Sequence, residues 1–126
     1  RVSSRGGPMN STVIATAQVV GFHAWPTAPA EVSYLADRHR HVFTFKCGVA
    51  VSGHDREIEF HILKREVLEA LAVGWPRTNG EFDFDNNSCE HLAAWLDCSL
   101  RSRCHINASW TEVWEDNENG ARLEFR

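Results

Sequence analysis

Along residues 12–22 (TVIATAQVVGF) apolar positions alternate loosely with polar ones in a run rich in β-branched side chains, which predicts a strand with a buried face. The alternation sharpens in the second strand, where His39, His41, Phe43, Phe45, Cys47, Val49 and Val51 recur at every second position, with Val42, Thr44, Lys46 and Ala50 between them. In an extended chain all of the first set leave from one face. The intervening AWPTAPAE holds two prolines, which lack the N–H a ladder needs, and is predicted to be a loop. SGHD at 52–55 predicts a turn, and residues 57–60 a short third strand.

The period then changes. ILKREVLEALAV places Leu63, Val67, Leu68 and Leu71 at three- and four-residue spacings, so a helix is predicted, ended by Gly74 and Pro76. The following GWPRTNGEFDFDNN is polar apart from three aromatics and holds the weakest signals in the chain. A second helix is predicted from Asn87 as N-cap, with Glu90 three residues on and an apolar stripe of Leu92, Trp95, Leu96 and Leu100. Residues 104–115 alternate as a long strand, Asn119-Gly120 suits a tight hairpin, and 122–125 closes as an edge strand. The sum is an α+β chain of order β-β-(β)-α-α-β-β. Its two sequence-adjacent helices should share one face of an antiparallel sheet, leaving an apolar second face for a subunit interface to cover.

Composition narrows the function classes. The 126 residues and 43% hydrophobic content suit one domain, expected over 9–126, while residues 1–8 contain no apolar core and read as a vector-derived remnant before Met9. A formal charge of −4 supplies no basic field for nucleic acid. No apolar run reaches the roughly 18 residues of a membrane span. Cys47, Cys89, Cys98 and Cys104 form no CxxC pair, which suggests reduced thiols and a cytoplasmic location.

The chemistry concentrates in histidines. His39 and His41 leave the same strand face about 7 Å apart, from a rise of ~3.4 Å per residue, and His23 ends the neighbouring strand. Catalytic zinc takes three protein ligands at about 2.0–2.2 Å and keeps one position open.

Several segments, in order, resemble the 6-pyruvoyl- and 6-carboxy-tetrahydropterin synthases of the tunnelling fold. GFHAWP resembles the segment bearing their first zinc histidine, HRHVF their HGHxY segment, and EIEFHILKREV their strand-to-helix segment. NSCEHLAAWL resembles their PTxENxA helix start, and VWEDNENGARLEF their closing strand. The resemblance implies zinc on His23, His39 and His41, a homohexamer built from two trimers, and Glu115 as the carboxylate that anchors a pterin or guanine-like ring. Glu90, which also complements a helix dipole, is a second substrate-binding candidate. Arg38 and Arg40 are candidates for an anionic tail.

Two family features are missing. Leu35 stands where many members carry a proton-transferring cysteine, and no LDHxxLN histidine occurs between the helices. Cys89, His91 and Asp85 are the candidate catalytic substitutes. The expected function is zinc-dependent, lyase-type chemistry on a pterin or guanine-derived molecule. The alternative is a non-catalytic binding protein for a pterin or purine nucleotide.

Overall fold

The computed structural model describes residues 11–53 and 55–125. The expected remnant at 1–8, Met9 and His54 of the predicted turn lie outside them.

Strands β1 (Ser11–His23) and β2 (His39–Val51) pair antiparallel in one unbroken register, from Ser11 opposite Val51 to His23 opposite His39. With no bulge, the period-two pattern survives along both strands, so their odd-numbered residues share a face. Strand β5 (Trp110–Glu115) pairs with β2, placing Glu115 opposite Phe43, and β6 (Asn119–Glu124) forms the outer edge. Helices α1 (Phe60–Gly74) and α2 (Cys89–Cys104) lie over the odd-numbered face. There Leu63, Val67, Leu71, Leu92, Leu96 and Leu100 close onto Ala15, Ala17, Phe43, Phe45, Cys47 and Val113. This is the α+β layering expected from the sequence.

The segment between the helices contributes β3 (Arg77–Thr78) and β4 (Glu81–Asp83), giving the sheet order β3-β4-β1-β2-β5-β6. Asn79 and Gly80 join them with φ of 53° and 80°, the left-handed pair that a two-residue hairpin demands. Strand β4 runs parallel to β1 while the other pairings are antiparallel.

Four sequence expectations are corrected. Residues 57–60 form no strand: the Glu59 carboxylate accepts from the amides of His61 at 2.9 Å and Ile62 at 3.2 Å, which starts α1 instead. The N-cap of α2 is Ser88, whose Oγ accepts from His91 N at 3.1 Å, while the Asn87 side chain donates to the Phe84 carbonyl. Helix α2 runs through Cys104 and ends at a left-handed His105, so the last long strand begins at Trp110. The β5–β6 turn is made by residues 116–118, with Asp116 and Asn117 at positive φ. Asn119 and Gly120 belong to the ladder, where a Cβ on Gly120 would lie 2.6 Å from the Trp114 ring.

The even-numbered face is mixed rather than apolar. Gln18, Thr44 and Asn117 form a hydrogen-bonded row, Glu112 accepts from Trp114 Nε1 and pairs with Arg122, and Ile14 and Val42 are its exposed apolar residues. Among the described residues the cysteines are free thiols, and no helix is long and apolar enough to cross a membrane.

Candidate metal centre

The β1–β2 register sets His23 opposite His39 and Gly21 opposite His41. Glycine is required there: a Cβ on Gly21 would lie 2.5 Å from the Phe84 ring. The buried Phe84 therefore reaches beneath the site and packs edge-on against Phe43, whose own ring meets those of His23 and His41. On this aromatic floor one ring nitrogen each from His23, His39 and His41 lies within 4.8 Å of the others.

Each imidazole is oriented through its Nδ1. His23 Nδ1 is 2.7 Å from the Asn87 carbonyl, His39 Nδ1 is 2.8 Å from the Asp37 carbonyl, and His41 Nδ1 is 2.7 Å from Asp116 Oδ2. Carbonyls and a carboxylate only accept, so Nδ1 carries the proton and Nε2 presents a lone pair. This is how metal-ligating histidines are usually held. The supports are themselves fixed. Asn87 is tied through its backbone and side-chain N–H groups to the Phe84 carbonyl, and Asp116 uses Oδ1 to accept from Val42 N at 2.9 Å. The Val42 amide and the His41 ring together hold the Asp116 carboxyl below its ordinary range.

Nε2 of both His23 and His41 is buried without a hydrogen-bond partner. Glu115 Oε2 lies 2.9 Å from the first and Oε1 lies 3.3 Å from the second, close enough for the carboxylate charge to act on both rings. Burial pushes the His23 pKa down, but the neighbouring Glu115 and the Asn87 carbonyl outweigh it, and the net shift is upward. For Glu115, burial pushes upward and the His23 contact reverses it, giving a net lowering. Cys89, at the start of α2, donates Sγ–H to Glu115 Oε2 at 3.6 Å. Burial and the Glu115 charge push that thiol up to about 12.

His23 and His39 line a cleft of about 460 Å³, within the range of small-molecule sites, with His41 behind them. Its walls include Trp25, Leu35, Cys89, Glu115 and the first turn of α2, where Glu90 and His91 stand. The structure thus brings together His23, His39, His41, Glu115 and Cys89, with Glu90 and His91 at the rim. Asp85 does not line the cleft; its carbonyl accepts from Ala24 N. Arg40 pairs with Glu81 at 2.8 Å and Arg38 stacks on Phe22, so neither forms part of the walls. Sequence reasoning missed the supports Asp37, Asn87 and Asp116. Only Asp116, next to Glu115 in the chain, left a signal, since the other two act through backbone carbonyls.

No protein-family model matches the sequence, and no curated protein sequence matches it either. Solved structures do match. A Caenorhabditis elegans 6-pyruvoyl tetrahydropterin synthase aligns with a TM-score of 0.65 at 13% identity, over 94% of this chain and 98% of that one. An uncharacterized protein from Wolinella succinogenes aligns with a TM-score of 0.64, also at 13% identity, over 94% and 99%. The chain therefore has the fold of a 6-pyruvoyl tetrahydropterin synthase.

Proposed function

We propose that this chain is a zinc-dependent protein of the pterin-synthase type, carrying out lyase-type chemistry on a pterin or guanine-derived small molecule. One observation carries the reading: three histidines are each fixed through Nδ1, one ring nitrogen of each lies within 4.8 Å of the others, and His23 and His39 line a cleft of ligand size. His23, His39 and His41 would hold the ion, and zinc bound there supplies Lewis-acid polarisation of a carbonyl or hydroxyl.

The remaining work falls to the chain's own groups. Glu115 can accept the two adjacent N–H groups of a 2-amino-4-oxo pyrimidine edge, as pterins and guanine present it. Cys89 and His91, both in the cleft lining, are the candidates for proton transfer, and Glu90 stands at the rim for substrate contact. Asp85 is the weakest of the catalytic candidates, because it lies outside that lining. Leu35 in the wall cannot move a proton. That residue favours a second reading, a ligand-holding protein without turnover. A homo-oligomer, a hexamer as the sequence resemblance implies, accords with the two open edges of the sheet at β3 and β6.

Incubation of zinc-loaded protein with dihydroneopterin triphosphate, followed by mass spectrometry, separates the readings. General acid–base groups contribute on the order of a hundred- to ten-thousandfold each. Slow conversion that Cys89→Ala or His91→Ala abolishes supports the enzyme. Ligand-induced thermal stabilisation without product supports the binder. Neither binding nor conversion of pterins and guanine compounds overturns the ligand class.

A further inference from the structure

Glu115 stands where a ligand-reading carboxylate is expected, yet both of its oxygens face the triad. Oε2 is 2.9 Å from His23 Nε2 and Oε1 is 3.3 Å from His41 Nε2. An acceptor at each Nδ1 turns Nε2 inward, and neither Nε2 has a well-aligned hydrogen bond, so two ring nitrogens and a carboxylate are gathered around one point. Such a grouping is held together by a cation, a proton on an imidazole in the metal-free protein or a metal ion in its place. Two donors sharing a tetrahedral ion at about 2.0–2.2 Å lie roughly 3.3–3.6 Å apart; the 3.3 Å separation from His41 meets that spacing, and the 2.9 Å separation from His23 is shorter and would widen around an ion.

The carboxylate is also placed rather than wandering. Glu115 is the last residue of β5, in register with Phe43 of β2, and its side chain is 26% exposed. Cys89 Sγ–H reaches Oε2 from the side of α2, leaving the carboxylate hydrogen-bonded as well as directed inward.

We propose that Glu115 is a fourth metal donor, closing a set of three histidines and one carboxylate in the ligand-free protein. The inference rests on the metal reading above. It has a consequence for that reading: a carboxylate engaged at the ion cannot also accept a ligand's paired N–H groups. Recognition of a ring edge by Glu115 and opening of a coordination position are then one event.

The test uses cobalt(II) as the probe ion in the full chain, with affinity measured by chelator competition and coordination followed by visible absorption. Glu115→Gln keeps the shape and removes the charge, Glu115→Asp keeps the charge and shortens the reach, and circular dichroism checks that both fold. The expected result is at least a tenfold loss of affinity in Glu115→Gln, with a smaller loss in Glu115→Asp. Added azide should perturb the cobalt spectrum of Glu115→Gln and leave that of the wild type unchanged. Wild-type affinity in Glu115→Gln, or a wild-type spectrum that already responds to azide, overturns the fourth donor. If cobalt binds and His39→Ala abolishes binding while Glu115→Gln does not, only this inference fails. If the wild type takes up no metal, the underlying reading fails with it.

Discussion

The inner face of β2 is a single row of side chains whose two halves have different fates. Phe43, Phe45, Cys47 and Val49 are sealed under the helices, none more than 4% exposed, whereas His39 and His41 on the same face stay half-buried, His39 lining a cleft. Backbone geometry and register are continuous across the boundary. The difference lies in what stands opposite: α2 presses Leu92, Leu96 and Leu100 onto the apolar half, while its first three residues, Cys89, Glu90 and His91, only wall the cleft. Period two identifies a shared face. It does not say what covers that face.

Truncations in the two halves should have opposite signatures. Phe45→Ala removes a fully buried ring and is expected to cost about 3–5 kcal/mol in urea unfolding with chelator present. His41→Ala under the same conditions should cost less than about 1 kcal/mol while abolishing zinc uptake. Equal costs would show that the halves form one core.

Gly21→Ala should breach the boundary. The new methyl meets Phe84 at 2.5 Å, and such overpacking typically costs about 1–3 kcal/mol. Because Phe84 also fixes Asn87, the support of His23, zinc affinity should fall together with stability. Chelator competition and urea unfolding on one variant check both; a stability loss with unchanged affinity would uncouple floor from site.

The polar half should also respond to pH, with a sign that metal reverses. His23 titrates above its ordinary 6.5, so its contribution to the metal-free fold is complete below 6.5 and lost as pH rises through the raised value. Glu115 titrates below its ordinary 4.5, so its contribution is complete above 4.5 and lost as pH falls through the lowered value. The pair therefore stabilises the metal-free protein most between 4.5 and 6.5. Zinc needs the unprotonated ring, so the stabilisation it adds should grow as pH rises through His23's titration. Thermal scans from pH 5 to about 8, with and without chelator, should show slopes of opposite sign.

The smallest effect concerns thiols. Burial holds Cys47 at about 11, and burial with the Glu115 charge holds Cys89 at about 12, whereas Cys98 is exposed. Brief alkylation of native protein at neutral pH should label Cys98 well before Cys89 or Cys47, as peptide mass spectrometry would show. Early labelling of Cys89 would mean that its thiol is activated.

The long elements were legible because burial enforces their period. The alternation of β2 and the leucine stripes of both helices are direct records of one covered face. The triad was legible for a related reason, since His39 and His41 continue that alternation and His23 ends the neighbouring strand. What failed was local competition. Asn79-Gly80 is the pair that turns a hairpin, yet alternation flanks it on one side only, at residues 81–85, while Asn119-Gly120 sits inside a strand because Trp114 needs the space of a missing side chain. Residues 57–60 alternate as a strand would, but Glu59 satisfies two helix amides and starts α1. Nothing in the sequence could show that Glu115 turns toward the histidines, because that depends on the pairing of β2 with β5 and on the side chain's rotamer.

Whether His23, His39 and His41 hold one metal ion is decided by elemental analysis of protein purified without added metal. Close to one zinc per chain is expected in the wild type and almost none in His39→Ala or His41→Ala, each still folded by circular dichroism. Zinc absent from the wild type, even after loading, or retained at full stoichiometry in both variants, would contradict it.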